Sequence, residues 1–230
     1  MRPSRPSLLL FEHHISTGIF AATLESIEEM NDSFEPIIAQ KVSVVMEAQG
    51  QISELNNAEM LPTDWNNWVH ARLGDQYDRY SQWINIMRHS LVLTLVSIFE
   101  DHLKRMAGSF VAFKKQPPIN WRDINKKKGG PRAPRSILIK HGIPQEAFGR
   151  NWSVLINVYE IRNRIAHAGG RHDEKTAPLI AKMPNILCEA SDDPKRIQLV
   201  DGGIKAICVL MADMMKSINA AILSAYRAAE

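Results

Sequence analysis

The sequence is poor in cysteine and has no long uninterrupted apolar run. Its 230 residues include two cysteines, Cys188 and Cys208, too few for a disulfide-rich scaffold or a zinc site with CxxC spacing. No apolar run approaches the roughly 18–20 residues needed to cross a bilayer, and the apolar stretch at residues 8–11 is too short for a signal-peptide core. Gly129-Gly130 lacks the following Lys-Ser/Thr of a phosphate loop. We therefore expect a soluble, cytoplasmic protein with no membrane association, metal or cofactor.

The strongest periodic pattern in the chain runs from Tyr77 to Met106. Apolar residues recur there in steps of three and four, which places them on one stripe of a helix of about 35 residues. Such a stripe is typical of core packing. A helix of this length also favours a helical hairpin arm or a dimer-forming helix.

The rest of the chain is predicted to be mostly helical, with one small β-hairpin. Pro36 is expected to kink or split the first helix, and the diglycine Gly169-Gly170 is a strong helix stop. A turn at residues 191–194 separates two short apolar segments that resemble paired strands. The predicted helices lie at about 16–55, 135–141, 151–168 and 203–228, and the strands at 186–187 and 197–200.

These patterns predict a mainly α fold, a helical bundle with a small β-hairpin before the C-terminal helix. We expect residues 1–75 to form an N-terminal helical extension and residues 76–230 to form the main helical domain. That domain carries a loop-rich basic segment at 114–141, defined here as the basic segment.

The formal net charge of +3 is unevenly distributed. The basic segment holds nine basic residues against one acid, a net charge of +8, which leaves −5 on the rest of the chain. Such density predicts a flexible arm that binds a phosphate backbone, with RNA as the partner; a mobile, solvated loop is the alternative. The nine residues are Lys114, Lys115, Arg122, Lys126, Lys127, Lys128, Arg132, Arg135 and Lys140.

A candidate catalytic motif lies in the helix that precedes the diglycine. Arg162, Asn163 and His167 lie at its end. Histidine titrates near neutral pH and can transfer protons, and arginine presents donors that match a phosphate gaining charge. An asparagine can orient either group by hydrogen bonding.

In this context the sequence resembles the HEPN superfamily (higher eukaryotes and prokaryotes nucleotide-binding domains). The family signature is an Arg, a polar residue, a few further residues and a His, and Arg162, Asn163 and His167 occupy those positions in that order. The apolar run that leads into Phe99-Glu100 also looks like an earlier core helix of the family. The resemblance spans roughly residues 77–228.

The resemblance implies a helical homodimer in which the Arg and His of two protomers line one cleft. It also implies a metal-independent endoribonuclease of a toxin–antitoxin or phage-defence system, with an antitoxin or regulatory protein as a further partner. Other members of the family have lost catalysis and bind RNA, a nucleotide or a protein. A helical dimer that does not touch nucleic acid remains a third interpretation.

Further residues are assigned around the motif. Arg164 is a candidate for steering phosphate, and Glu100 and His172 are candidates for a supporting role. On a regular helix, residues 162 and 167 lie about 140° apart, so a turn at the helix end or a symmetric dimer is needed to bring them together. Alternatively, Arg162 pairs with Glu160 or Glu100, and His167 only caps the helix C-terminus.

Overall fold

The fold is mainly helical, with one two-stranded antiparallel sheet. The structure is a computed structural model that describes residues 5–57, 63–125, 129–189 and 195–228. The helices are α1 (Arg5–Asn57), α2 (Thr63–Phe113), α3 (Trp121–Asn125), α4 (Arg132–Lys140), α5 (Trp152–Ala168), α6 (Ala177–Ala181) and α7 (Gly203–Arg227). A 3₁₀ turn covers Gln145–Phe148, and the strands are β1 (Leu187–Glu189) and β2 (Ile197–Leu199).

The predicted fold class is confirmed. The small hairpin precedes the C-terminal helix, and its register pairs Leu187 with Leu199 and Glu189 with Ile197. The turn predicted at residues 191–194 lies outside the described residues. α5 ends before Gly169, as the diglycine predicts.

Two segments match the prediction in part. α1 is one continuous helix that contains Pro36 and extends to Asn57, so the predicted split does not occur and the predicted kink stays a prediction. In the described part of the basic segment, α4 confirms the short helix predicted at about 135–141, and α3 is a further helix that was not predicted. α4 buries Ala133, Ile137 and Leu138, so apolar spacing rather than the surrounding charge determines its local structure.

The chain divides into two compact units, and the division differs from the predicted boundary near residue 75. Unit 1 comprises residues 1–28 and 91–230, and unit 2 comprises residues 29–90. Residues 17–28 of α1 belong to unit 1, where Phe20, Leu24 and Ile27 are buried. The Phe20 ring lies 6.2 Å from Phe99 and stacks at 4.7 Å on His102.

The core of unit 1 is formed by one face each of α2, α5 and α7. α5 buries Leu155, Val158, Ile161 and Ile165 at helical spacing. The buried face of α7 is apolar along its whole length; its members include Ile204, Ile207, Met211, Met214, Ile218 and Ile222. The opposite side of α5 is therefore left for polar residues.

α7 also meets the length and composition criteria for a membrane-spanning helix, which the sequence analysis did not anticipate. In its most apolar 18-residue window, 44% of the residues are buried inside the structure. The core helix of a soluble protein meets the same criteria. Its apolar character is accounted for in part by the core that it forms with α2 and α5.

Candidate active site

An open cleft of about 540 Å³ lies along the polar side of α5. α5 contributes Asn163, Arg164 and His167, and the segment around the start of α6 contributes Lys175 and Thr176. The other lining residues are Arg132, Ile156, Asn157, Glu160 and Leu179. The candidate His thus shares a solvent-accessible cleft with cationic and amide side chains.

His167 occupies the last turn of α5 and is exposed. The helix stops one residue later because Gly169 adopts a left-handed conformation with φ 59°. The backbone N–H groups of Gly169 and Gly170 both donate to the Arg164 carbonyl. Asn163 lies one helical turn before His167, so both side chains face the cleft.

Arg162 points away from this cleft, toward α2. Its Nη2 donates to Ser97 Oγ at 3.4 Å, and its Nη1 donates to Asn163 Oδ1 at 3.2 Å. Its Nε is buried and has no hydrogen-bond partner among the described residues. A single chain therefore brings Asn163 and His167 together but leaves Arg162 outside the cleft, and Asn163 connects the two sides.

The carboxylates considered as partners of Arg162 are paired with other residues. Glu100 accepts a hydrogen bond from Lys104 at 2.6 Å, and Glu160 pairs with Arg132 at 2.9 Å. The possible support of Arg162 by Glu100 is therefore not seen; Ser97, one turn earlier on α2, occupies that place. His172 donates its backbone N–H to the Lys195 carbonyl and does not line the cleft.

Arg164 forms an ion pair with Asp173 at the rim of the cleft. Asp173 and Thr176 close the turn that precedes α6, since the backbone N–H of each residue donates to the side chain of the other. Desolvation acts to raise the pKa of Asp173. The hydrogen bonds from Thr176, the charge of Arg164 and the N–H of Lys175 outweigh it and hold the pKa below its ordinary value. This rim is therefore held in place by charge-assisted contacts.

Arg132 reaches the cleft from α4. It pairs with Glu160 and lies 5.9 Å from the Tyr159 ring centre. The same ring packs against Gly130, whose φ is +63°; a Cβ there would lie 2.3 Å from the ring. Only glycine fits this position, which brings α4 close to α5.

The other described lysines and arginines of the basic segment do not line the cleft. Arg135 lies 5.1 Å from both the Phe148 and Trp152 rings, and burial lowers its pKa. Arg135 therefore packs on these two rings, and its expected contact with phosphate stays a prediction. Lys140 borders a separate groove of about 270 Å³.

The other three described lysines and arginines of the basic segment are exposed, and the lysine triplet lies beyond the structural description. Lys114 lies 5.6 Å from the Phe110 ring centre, and Lys115 and Arg122 project from the surface. Residues 126–128 are outside the described residues.

Sequence reasoning missed Lys175, Thr176 and Ser97. The pattern Asp173-x-x-Thr176 after the diglycine is a signal for the start of α6, and it places Lys175 beside the motif. No local pattern indicates Ser97, because it lies 65 positions before Arg162. Within the described residues, no group of three or more His, Cys, Asp or Glu has an arrangement that could hold a metal ion.

Comparison with protein-family models, with curated proteins and with solved structures finds no match for this chain.

Proposed function

We propose that the chain is a metal-independent endoribonuclease that cleaves RNA by attack of its own 2′-hydroxyl. The observation that carries this proposal is the exposed His167, which shares one open cleft with Asn163, Arg164 and Lys175. A titratable imidazole beside cationic donors suits proton transfer at a phosphodiester. The resemblance to HEPN ribonucleases adds to this geometry.

The proposed reaction needs only proton transfer and charge stabilisation. The 2′-oxygen forms a bond to phosphorus, and the bond from phosphorus to the 5′-oxygen breaks. The proton of the 2′-hydroxyl goes to a base, and a proton is returned to the leaving 5′-oxygen. The products are a 2′,3′-cyclic phosphate and a 5′-hydroxyl, and His167 is suited to one of these transfers.

The cations of the cleft are assigned to the phosphate. Lys175 makes no ion pair with a described residue, so its ammonium group is open to a ligand. Arg132 and Arg164 sit at the border, each with a carboxylate partner. In this proposal Arg162 orients the Asn163 amide of its own chain. It contacts phosphate only in a dimer, where two copies share one cleft and Arg162 reaches it from the side of the second copy.

A homodimer completes the proposed chemistry. One cleft holds one copy of His167. The reaction needs both a base that takes the proton of the attacking 2′-hydroxyl and an acid that gives a proton to the leaving 5′-oxygen. Two copies related by a two-fold axis supply two imidazoles and two arginines. Action in a toxin–antitoxin or phage-defence system, controlled by an antitoxin or regulatory protein, is proposed on the family resemblance alone.

The test uses purified full chain and RNA in EDTA. Wild type is expected to yield 5′-hydroxyl and cyclic-phosphate ends, and a deoxynucleotide at the cleaved position should block the reaction. His167→Ala should lower the rate about 100-fold or more, as removal of an acid–base group does. Arg162→Ala should also lower the rate, through loss of the Asn163 contact.

His141→Ala is the matched control, because His141 ends α4 beside the separate groove. Its activity should equal that of wild type. Equal activity in His167→Ala would overturn the site, and strict dependence on a divalent ion would overturn the mechanism.

The second candidate is an inactive HEPN-type module that binds RNA without cleaving it. The position of Arg162 favours it, since the guanidinium lies against Ser97 rather than beside His167. It predicts RNA binding with a steep salt dependence and no cleavage. Arg132→Gln with Lys175→Gln should then weaken binding and flatten the salt dependence, whereas His141→Ala should not.

A further inference from the structure

Unit 2 contains a helical hairpin, formed by residues 29–57 of α1 and 63–90 of α2, in which two rows of residues face each other. In both rows, buried or half-buried positions recur in steps of three and four. Glu35 of the α1 row forms an ion pair of 2.6 Å with Arg88, which follows the last residue of the α2 row, and this contact is consistent with the antiparallel register. The α1 row is Asn31, Glu35, Ile38, Val42, Val45, Gln49 and Ile52; the α2 row is Val69, Leu73, Gln76, Tyr80, Ile84 and Met87.

A second apolar row runs beside each of these rows, and its side chains are exposed. Most of its residues immediately precede, in the sequence, a residue of the facing row on the same helix. On α1 it includes Phe34, Ile37 and Val44, and on α2 it includes Trp68, Trp83 and Ile86, with Trp65 one turn earlier. Trp65 and Trp68 are 61% and 63% exposed. On both helices charged residues interrupt this second row, Lys41 on α1 and Arg72, Asp75 and Arg79 on α2, so its exposed apolar side chains form separate clusters.

Both exposed rows lie on the same side of the hairpin. One residue turns a helix by about 100°. A residue one position earlier therefore points about 100° away from the facing row. Because the two helices run in opposite directions, this rotation is toward the same side of the hairpin on both helices. The hairpin therefore presents one face two helices wide, which carries these exposed apolar side chains together with Lys41, Arg72, Asp75 and Arg79 and is defined here as the hairpin face.

The area of the hairpin face matches that of an association surface. Four aromatic side chains, Phe34, Trp65, Trp68 and Trp83, are each about half exposed or more. At 150–250 Å² per aromatic side chain they expose about 450 Å² together, before Ile37, Val44 and Ile86 are counted. The largest patch on a typical monomer is about 300–600 Å², and a standard interface buries about 800 Å² per partner.

We propose that the hairpin face binds the same face of a second copy and forms an intermolecular four-helix bundle. The two antiparallel helices of one hairpin match those of a second copy in an isologous two-fold contact. The charges on the face have both signs, Lys41, Arg72 and Arg79 with Asp75, so opposite charges can pair across this contact. The hairpin as a whole is acidic, with nine acidic and four basic residues over 29–90, which opposes binding to anionic lipid or nucleic acid.

The experiment measures the molar mass of the full chain by sedimentation equilibrium over a wide concentration range. Wild type should be dimeric. Trp68→Glu and Trp83→Glu should each raise the dissociation constant about 30-fold or more, because they remove an aromatic anchor and bury a charge. Val209→Glu is the matched control, since Val209 is also exposed but lies on α7 in unit 1; it should remain dimeric.

Circular dichroism separates lost association from lost folding. If a glutamate variant loses helix content, Trp68→Gln and Trp83→Gln replace it in the same measurement. A wild type that stays monomeric at high concentration would overturn the proposal, as would glutamate variants that dimerise like wild type. Binding of monomeric wild type to anionic or neutral vesicles would identify lipid as the occupant and would also overturn it. None of these outcomes depends on RNA cleavage.

Discussion

Unit 1 and the hairpin of unit 2 distribute apolar and polar residues in opposite ways. In unit 1, large side chains such as Leu103 and Phe110 are fully buried, and four charged residues line an open cleft: Arg132, Glu160, Arg164 and Lys175. In the hairpin, Asn85 and the Arg88–Glu35 pair are largely buried, while tryptophans are exposed.

Because of this difference, the two regions present two kinds of surface, one polar and one apolar. A buried polar group and a large exposed apolar patch are the informative departures from ordinary packing. Unit 1 has an apolar core that stabilises its fold and presents polar chemistry at its surface. The hairpin has exposed apolar side chains beside its covered row, and these are suited to binding another protein surface.

The largest expected difference between the two regions is in the loss of folding free energy when one phenylalanine ring is removed from each. Phe99→Ala removes a ring that is 1% exposed and should lower the free energy of unfolding by about 3–5 kcal/mol. Phe34→Ala removes a ring that is 49% exposed. In the dissociated chain it should cost less than about 0.5 kcal/mol. Chemical denaturation at several protein concentrations measures both.

The concentration series distinguishes folding from association. The loss in Phe99→Ala should be the same at every concentration, whereas the loss in Phe34→Ala should grow as the dimer becomes populated. A large loss in Phe34→Ala at the lowest concentration would mean that this ring stabilises the hairpin itself.

A smaller effect is expected at the ion pair inside the hairpin. The Arg88 and Glu35 side chains are mostly buried and 2.6 Å apart. Glu35→Ala should lower the free energy of unfolding by about 2 kcal/mol, because it removes a charge-assisted hydrogen bond. The double variant Glu35→Ala, Arg88→Met should recover part of this loss, since it also removes the buried charge.

A double-mutant cycle with Glu35→Ala, Arg88→Met and the double variant measures the coupling. Arg105→Ala, which removes the exposed pair with Asp101, is the matched control and should change stability by less than about 0.5 kcal/mol. Additive effects of the two hairpin substitutions would show that the buried pair does not stabilise this register.

Local features were predictable from the sequence. The end of α5 follows from Gly169-Gly170, and the one-turn spacing of Asn163 and His167 places both side chains on one helix face. The angle between residues 162 and 167 already indicates that Arg162 belongs to another face. These features depend on helix geometry and on residues within a few positions of each other.

Contacts between distant segments were not predictable. Ser97 meets Arg162, and Phe20 packs on Phe99, across about 65 and 80 positions of the chain. The grouping of residues 1–28 with residues 91–230 could not be inferred from the sequence for this reason. The charge density of the basic segment also could not reveal that Arg135 is stacked between rings, because a count of charges contains no information on burial.

The smallest effect is expected at the exposed ion pair of Arg164 and Asp173, which contrasts with the buried pair of the hairpin. The pKa of Asp173 is held below its ordinary value of 3.8, so its carboxylate stabilises the folded state above that pH. This contribution is lost as the pH falls through the lowered pKa. Asp173→Asn should therefore unfold at a slightly lower temperature than wild type at pH 7. The difference should shrink with added salt and disappear in strong acid. Thermal melts across this pH range measure it, and a difference that grew on acidification would contradict the assigned direction of the pKa shift.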